Sequence, residues 1–145
     1  MEKENPNPAP ASPSVEPMAF KTYTSQSDLT LGDVRTGAYV FAHGSIKAKS
    51  IHATGKIESE TGSITAEGDI VSANIVKARH IIQVGGKLKA KEMQAKRVLL
   101  GLGATMDVES VFAEDVAAMR EVREGDKTVI KEIHIPFRQG GRLKV

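Results

Sequence analysis

Residue types able to do chemistry occur in this 145-residue chain, but their spacing does not assemble a site. His43, His52, His80 and His134 are scattered, with none of the H-x-x-x-H spacing that places two metal ligands on one helix face. Cysteine is absent, which removes disulfides, zinc ribbons, iron–sulfur clusters and thiol catalysis together. Glu58, Glu60, Glu67 and Asp69 read as a solvated face and not as an acid–base pair. The serines lack the nucleophile-elbow motif. Gly101-Leu102-Gly103-Ala104 is glycine-rich like a phosphate loop, yet it lacks the Lys and Ser/Thr of one and no helix pattern follows. It reads as a corner of the chain. The expectation is a non-enzyme with no catalytic residue, no metal, no cofactor and no small-molecule substrate.

Charge is more informative in its distribution than in its sum of +2. Residues 77–97 carry Lys77, Arg79, Lys87, Lys89, Lys91, Lys96 and Arg97 against Glu92 alone. Residues 106–126 carry Asp107, Glu109, Glu114, Asp115, Glu121, Glu124 and Asp126 against Arg120 and Arg123. The basic set is a candidate surface for an anionic partner or for complementary contact between subunits, set against simple solvation of outward positions. Nucleic acid is not expected, because residues 42–111 contain no Phe, Tyr or Trp on which a base could stack.

The elements that must carry these residues follow from an internal repeat. GSIKA at residues 44–48 returns as GSITA at residues 62–66, and a step of 18 aligns much more. Ile46, Ile64, Ile82 and Leu100 form one column, and Ala48, Ala66, Val84 and Leu102 the next. Ile70, Leu88 and Met106 form a third, preceded by His52 and Val34. Thr36, Thr54, Ser72, Ala90 and Val108 form a fourth, and Tyr39, Ile57, Ile75, Met93 and Val111 a fifth. Inside each unit apolar residues alternate with polar ones, as in Ile64-x-Ala66-x-Gly68-x-Ile70, which is the period of a strand. Strands of about six residues with tight corners fit the repeat better than one long strand. The fold class is all-β, a single-domain three-faced β-solenoid in which each coil touches only its neighbours. About five coils cover residues 28–117, and at ~4.8 Å per coil they make a rod about 24 Å long. The count alone leaves the hand of the coil open. A hexapeptide acyltransferase is a distant third reading, because its hexad signature is not kept.

Two segments flank this core. Residues 1–27 hold Pro6, Pro8, Pro10, Pro13 and Pro17 and read as a disordered tail whose end carries the apolar side chains Met18, Phe20 and Tyr23. Met18 and Phe20 are a candidate anchor to a membrane surface or partner protein, set against a strand lead-in onto the first coil. No apolar h-region stands near the N-terminus, so the default expectation is a cytoplasmic location, with membrane association through the tail as its variant. The C-terminal segment is residues 118–145, and from Glu114 to Asp126 the columns fail. Phe112, Val116, Met119 and Val122 recur at spacings of four and three, which suits a short amphipathic helix, with an acidic loop over residues 114–126 as the alternative. Residues 128–137 read as a strand, edge-placed by Pro136, then a Gln139-Gly140-Gly141 turn and a final short strand from Arg142. The segment is expected to cap one end of the solenoid.

The stretches GSIKAKSIHATGKI, GSITAEGDIVSANI, GGKLKAKEMQAKRV and VESVFAEDV resemble the bactofilins, polymer-forming bacterial cytoskeletal proteins, and the related β-helical region of flagellar assembly protein A. The resemblance implies a compact right-handed β-helix with a Pro-rich tail, and a structural protein that stacks end to end with copies of itself. The chain departs from the family in beginning Met1-Glu2-Lys3-Glu4, where such tails place membrane-contacting apolar residues, and in its C-terminal segment. Phe112, Phe137, Tyr39 and Phe41 are the candidate self-assembly residues, as large apolar side chains toward the two ends of the repeat. The alternative function is a capped, non-polymerising β-helix that binds a partner or regulates assembly.

Overall fold

The computed structural model describes residues 20–145, and every regular element among them is a strand. A lead-in strand, β1 (Tyr23–Ser25), precedes the first coil of β2 (Leu29–Thr30), β3 (Asp33–Thr36) and β4 (Val40–Ala42). The second coil is β5 (Ile46–Ala48), β6 (Ser50–Ala53) and β7 (Ile57–Ser59), and the third β8 (Ile64–Ala66), β9 (Ile70–Ser72) and β10 (Ile75–Ala78). The fourth is β11 (Ile81–Val84) and β12 (Lys87–Gln94), the fifth β13 (Arg97–Leu100) and β14 (Thr105–Phe112). The long strands β12 and β14 each serve two faces, pairing on both sides of a corner. Face one is the parallel ladder β2-β5-β8-β11-β13, continued by β15 (Asp115–Glu124). Face two runs β3-β6-β9-β12-β14, and face three β1-β4-β7-β10-β12-β14. The chain is a β-solenoid of about five turns.

The inward columns form one core of aliphatic side chains, with Ile57, Ile64, Ile70, Ile82 and Leu88 at 0% exposure. The step between coils is not uniformly 18, and this corrects several columns. Face one steps by 17, 18, 18, 16 and 18, from Leu29 through Ile46, Ile64, Ile82 and Val98 to Val116. Val98, not Leu100, therefore stacks on Ile82; Leu100 stacks on Val84, and Leu102 is 49% exposed in a corner. On face two the column is Val34, Ile51, Ile70, Leu88, Met106, so Ile51 takes the inward place expected for His52. Ala53, not Thr54, lies between Thr36 and Ser72. On face three Tyr23, Val40, Ile57, Val76, Met93 and Val111 stack inward, which turns Tyr39 and Ile75 out of the column. A corner absorbs or releases one residue without disturbing the ladders, because strand pairing fixes only the strands.

The corners explain the serines. Main-chain groups leave the ladders there and must find other partners. Buried Ser72 donates to the Gly55 carbonyl (2.7 Å) and accepts from the Asn74 N–H; buried Ser59 does the same for Gly44 and Gly62. Asp28, Ser45 and Ser63 each accept, at the corner before face one, the N–H of the coil above. Ser50 and Asp69 do so before face two. Gly85 is required by close approach, since a Cβ there would strike the Glu67 carbonyl.

The structure corrects both flanks. β1 lies within residues 1–27, because the inward Tyr23 stacks on Val40 and its N–H donates to the Tyr39 carbonyl. The expectation of a disordered tail, and Met18, otherwise fall in residues 1–19, outside the described residues. Residues 114–126 are neither helix nor acidic loop. They are mostly β15, which starts a sixth coil on β13 and then leaves the rod as one arm of an antiparallel hairpin with β16 (Lys127–His134). A two-residue turn joins the arms, with Gly125 at φ +62°, a conformation that favours glycine. The chain then returns across the end of the rod to β17 (Leu143–Lys144), antiparallel to β14.

Candidate functional site

Among the described residues the two ends of the solenoid differ. At the C-terminal end all three faces are closed by the chain itself. On face one, β16 pairs with β15 over Ala117–Glu124, and the Ile135 N–H donates to the Val116 carbonyl at 2.8 Å. On face two, β17 sets Leu143 against Val108 and Lys144 against Asp107, while Val145 and Met106 exchange both main-chain bonds. On face three, Val111 accepts from Gly140 and donates to Gly141, and the Gln139 amide side chain bonds both main-chain groups of Ala113. Ile135, Phe137 and Val145 pack on the last layer of the core.

An electrostatic clasp holds this cap. Asp115 accepts from Arg97 Nε (3.0 Å) and from His134 Nδ1 (2.8 Å), and Arg97 also pairs with Glu132. The His134 hydrogen bond first, and then Arg97, hold the Asp115 carboxyl below the usual carboxylate range. Arg97 is raised in turn, by Asp115 foremost. Arg142 adds a 2.7 Å bridge to Asp107.

The N-terminal end has no such cover among the described residues. β1, β2 and β3 each pair only with the next coil, through β4, β5 and β6. Tyr23, Leu29 and Leu31 are only half-buried there, although Val40 and Ile46, on which Tyr23 and Leu29 stack, are at 0% and 1% exposure. On face two of the same end, by contrast, Val34 and Thr36 are buried, and the Thr36 hydroxyl donates to the Lys21 carbonyl.

The candidate residues from sequence divide between these regions. Tyr39 (48% exposed) and Phe41 lie outside the core on face three and line an apolar groove of about 390 Å³ with Val40 and the Lys56 stem. They belong to a lateral surface near the N-terminal end of the rod. Phe20, at 83% exposure, lies against Gly37 at a corner of the first coil. Phe137 is half-buried within the cap itself, so it is already spent inside the chain. Phe112 ends β14 and is exposed in an open depression of about 730 Å³ that also holds Lys77, Arg79, Lys96, Glu60 and Glu114.

The seven basic residues are not brought together as one set, although Lys77, Arg79 and Lys96 share that depression. Lys87 and Lys89 are on face two, Lys77 on face three and Arg97 on face one, with Arg79, Lys91 and Lys96 at or beside corners. Acids sit next to them on adjacent coils: Glu58 beside Lys77, Asp107 beside Lys89 and Asp115 beside Arg97. The contrast between basic and acidic stretches in sequence is thus a match between consecutive coils. Two histidines likewise pair with carboxylates one coil away, His43 with Glu60 at 2.8 Å and His52 with Asp69 at 3.4 Å. Among the described residues no three potential metal ligands stand together.

Sequence reasoning missed the electrostatic clasp and the contrast between ends. The clasp depends on the 18-residue step from Arg97 to Asp115, which the repeat contains, and on the return of β16, which it does not. No family model matches the chain, and neither the curated proteins nor the solved structures give a match.

Proposed function

We propose that this chain is a structural, non-catalytic β-solenoid, bactofilin-like in its repeat, that works as a capped binding or assembly-limiting module. The observation that carries this reading is the C-terminal closure, in which antiparallel strands occupy the edge on which another coil would have to build. Head-to-tail growth continues parallel ladders, so it needs a free edge at both ends. The serine hydroxyls favour the same reading, since Ser59 and Ser72 are spent on corner main chain and not presented to a substrate.

Negative-stain electron microscopy and light scattering of the full chain at low and moderate salt test the proposal. The expected result is small uniform particles whose size does not grow with protein concentration. Filaments formed by the unaltered chain would refute the capped reading and return the protein to an end-to-end polymer.

A further inference from the structure

The hairpin that leaves the rod carries an uncovered edge among the described residues. β16 bonds to β15 on one side and ends its sheet. The Ile135 N–H donates to the Val116 carbonyl, and the hairpin continues the register of that pair through Ala118 and Ile133 to Glu124 and Lys127. In an antiparallel ladder alternate residues turn their main-chain groups to opposite edges. Lys127, Val129, Lys131 and Ile133 therefore bond β15, and the main-chain groups of Thr128, Ile130, Glu132 and His134 face outward. All four of these residues are exposed. Ile130, at 55%, is the most exposed large aliphatic side chain among the described residues. A two-stranded ribbon is marginal alone, and a free edge of this length is a template for another strand.

The strand is complementary to itself. A two-fold axis perpendicular to the sheet pairs two copies of β16 antiparallel about one residue. Centred on Ile130, it sets Ile130 against Ile130, Thr128 against Glu132, Val129 against Lys131 and Lys127 against Ile133. Thr128, Ile130 and Glu132 then exchange both main-chain bonds with their opposites, about six in all. The lysine stems cover Val129 and the exposed Ile133, and Asp126 of the turn comes opposite His134. No like charges stand directly opposite, and Lys131 is already bridged by Glu124. The other centres suit the strand poorly. Lys131 or Glu132 on the axis would face its own copy, Val129 on the axis sets Lys127 against Lys131, and Ile133 on the axis puts Pro136, which has no N–H, opposite Ile130. With Ile130 on the axis the two rods are displaced along the strands by six residues, about 20 Å, so the caps stand side by side.

We infer that the chain forms a closed, isologous dimer by pairing β16 with β16 of a second copy, with Ile130 on the two-fold axis. This rests on the capped reading above, since the uniform particle expected there is then the dimer.

The absence of cysteine supplies the test. Ile130→Cys places a single thiol on the axis, where paired Cα atoms stand about 5.5 Å apart, within disulfide reach. Arg123→Cys, exposed on the same side of the same hairpin opposite Thr128, is the control for random collision, because three strand spacings, about 14 Å, part it from its counterpart. Under mild oxidation the first variant is expected to give a covalent dimer on non-reducing gels and the second to stay monomeric. Equal cross-linking of both, or none, overturns the proposal. Ile130→Lys and Ile130→Glu change only an exposed side chain. Each is expected to keep the circular dichroism spectrum and to weaken the dimer in sedimentation about tenfold or more, and an equal mixture, with lysine opposite glutamate on the axis, to restore it. Dimers that survive either charge, or a mixture that stays dissociated, would refute the axis. Filaments of the Ile130→Cys variant that still cross-link would remove the capped reading and leave this contact standing. Uniform monomers of that variant that do not cross-link would remove the contact, leave the cap, and free the β16 edge for a strand of another protein.

Discussion

Leu100 and Leu102 offer the sharpest check on the coil register, because the uniform repeat and the structure exchange their roles. An 18-residue step places Leu102 inward on Val84; the observed 16-residue step places Leu100 there. Leu100 is at 0% exposure, between Val84 below and Ala118 above, whereas Leu102 is 49% exposed. Truncating Leu100 to alanine removes a fully buried side chain beneath a neighbour that is itself an alanine and cannot swing in to fill the space. The cost is therefore about 3 kcal/mol, inside the range of about 2–5 for such changes. For a folded unit of this size that corresponds to about 10 °C in Tm. Leu102→Ala is expected to cost about 0.5 kcal/mol or less, as surface changes do. Urea titration followed by circular dichroism, with a thermal scan beside it, measures both. Both variants lie in the same stretch of the rod, so any local unfolding of a solenoid affects the comparison equally. Equal losses, or a larger loss at Leu102, would refute the register and with it the corrected core.

Two further outcomes follow from the geometry. Asp115→Asn is expected to destabilise the chain at neutral pH, and the difference from the unaltered chain should vanish on acidification. The Asp115 carboxyl lies below its ordinary value in the folded chain, so its contribution is complete above about pH 3.9 and is lost as the pH falls through the lowered value; a difference that does not narrow on acidification would contradict the clasp. Ser72→Ala leaves the Gly55 carbonyl and the Asn74 N–H without their side-chain partner in a buried corner, and is expected to cost about 1–3 kcal/mol by urea titration, against about 0.5 or less for an exposed serine.

How far the sequence could be read depended on what each signal encodes. Alternation was legible because an inward isoleucine must be apolar wherever a face passes over the core, and Ile46, Ile64 and Ile82 state this three times at one interval. The step itself was less legible. A corner is held by hydrogen bonds that many small polar residues can make, so a lost or gained residue leaves no mark in hydropathy. The move from Ile82 to Val98 was hidden because Leu100 and Leu102 are both apolar and both fit an alternating frame. His52 was drawn into the core for the same reason, one residue from Ile51.

The cap was legible in part, and the reason bears on function. A strand at residues 128–137, a Gly-Gly turn and a last short strand could all be read from residue types. Their direction could not, because parallel and antiparallel edge strands share the same alternation. Direction is what separates a sixth coil from a lid. Val116 and Ala118 still obey the solenoid period and stack on Val98 and Leu100, so β15 begins as a coil. The turn at Gly125 then reverses the chain before a second face can form, and β16 takes the outer edge of β15 over eight residue pairs. The spacing of Val116, Met119 and Val122 that suggested a helix is the joint between these two regimes, one residue in the rod and two in the projecting arm. The rod therefore ends because the chain turns back on its own edge.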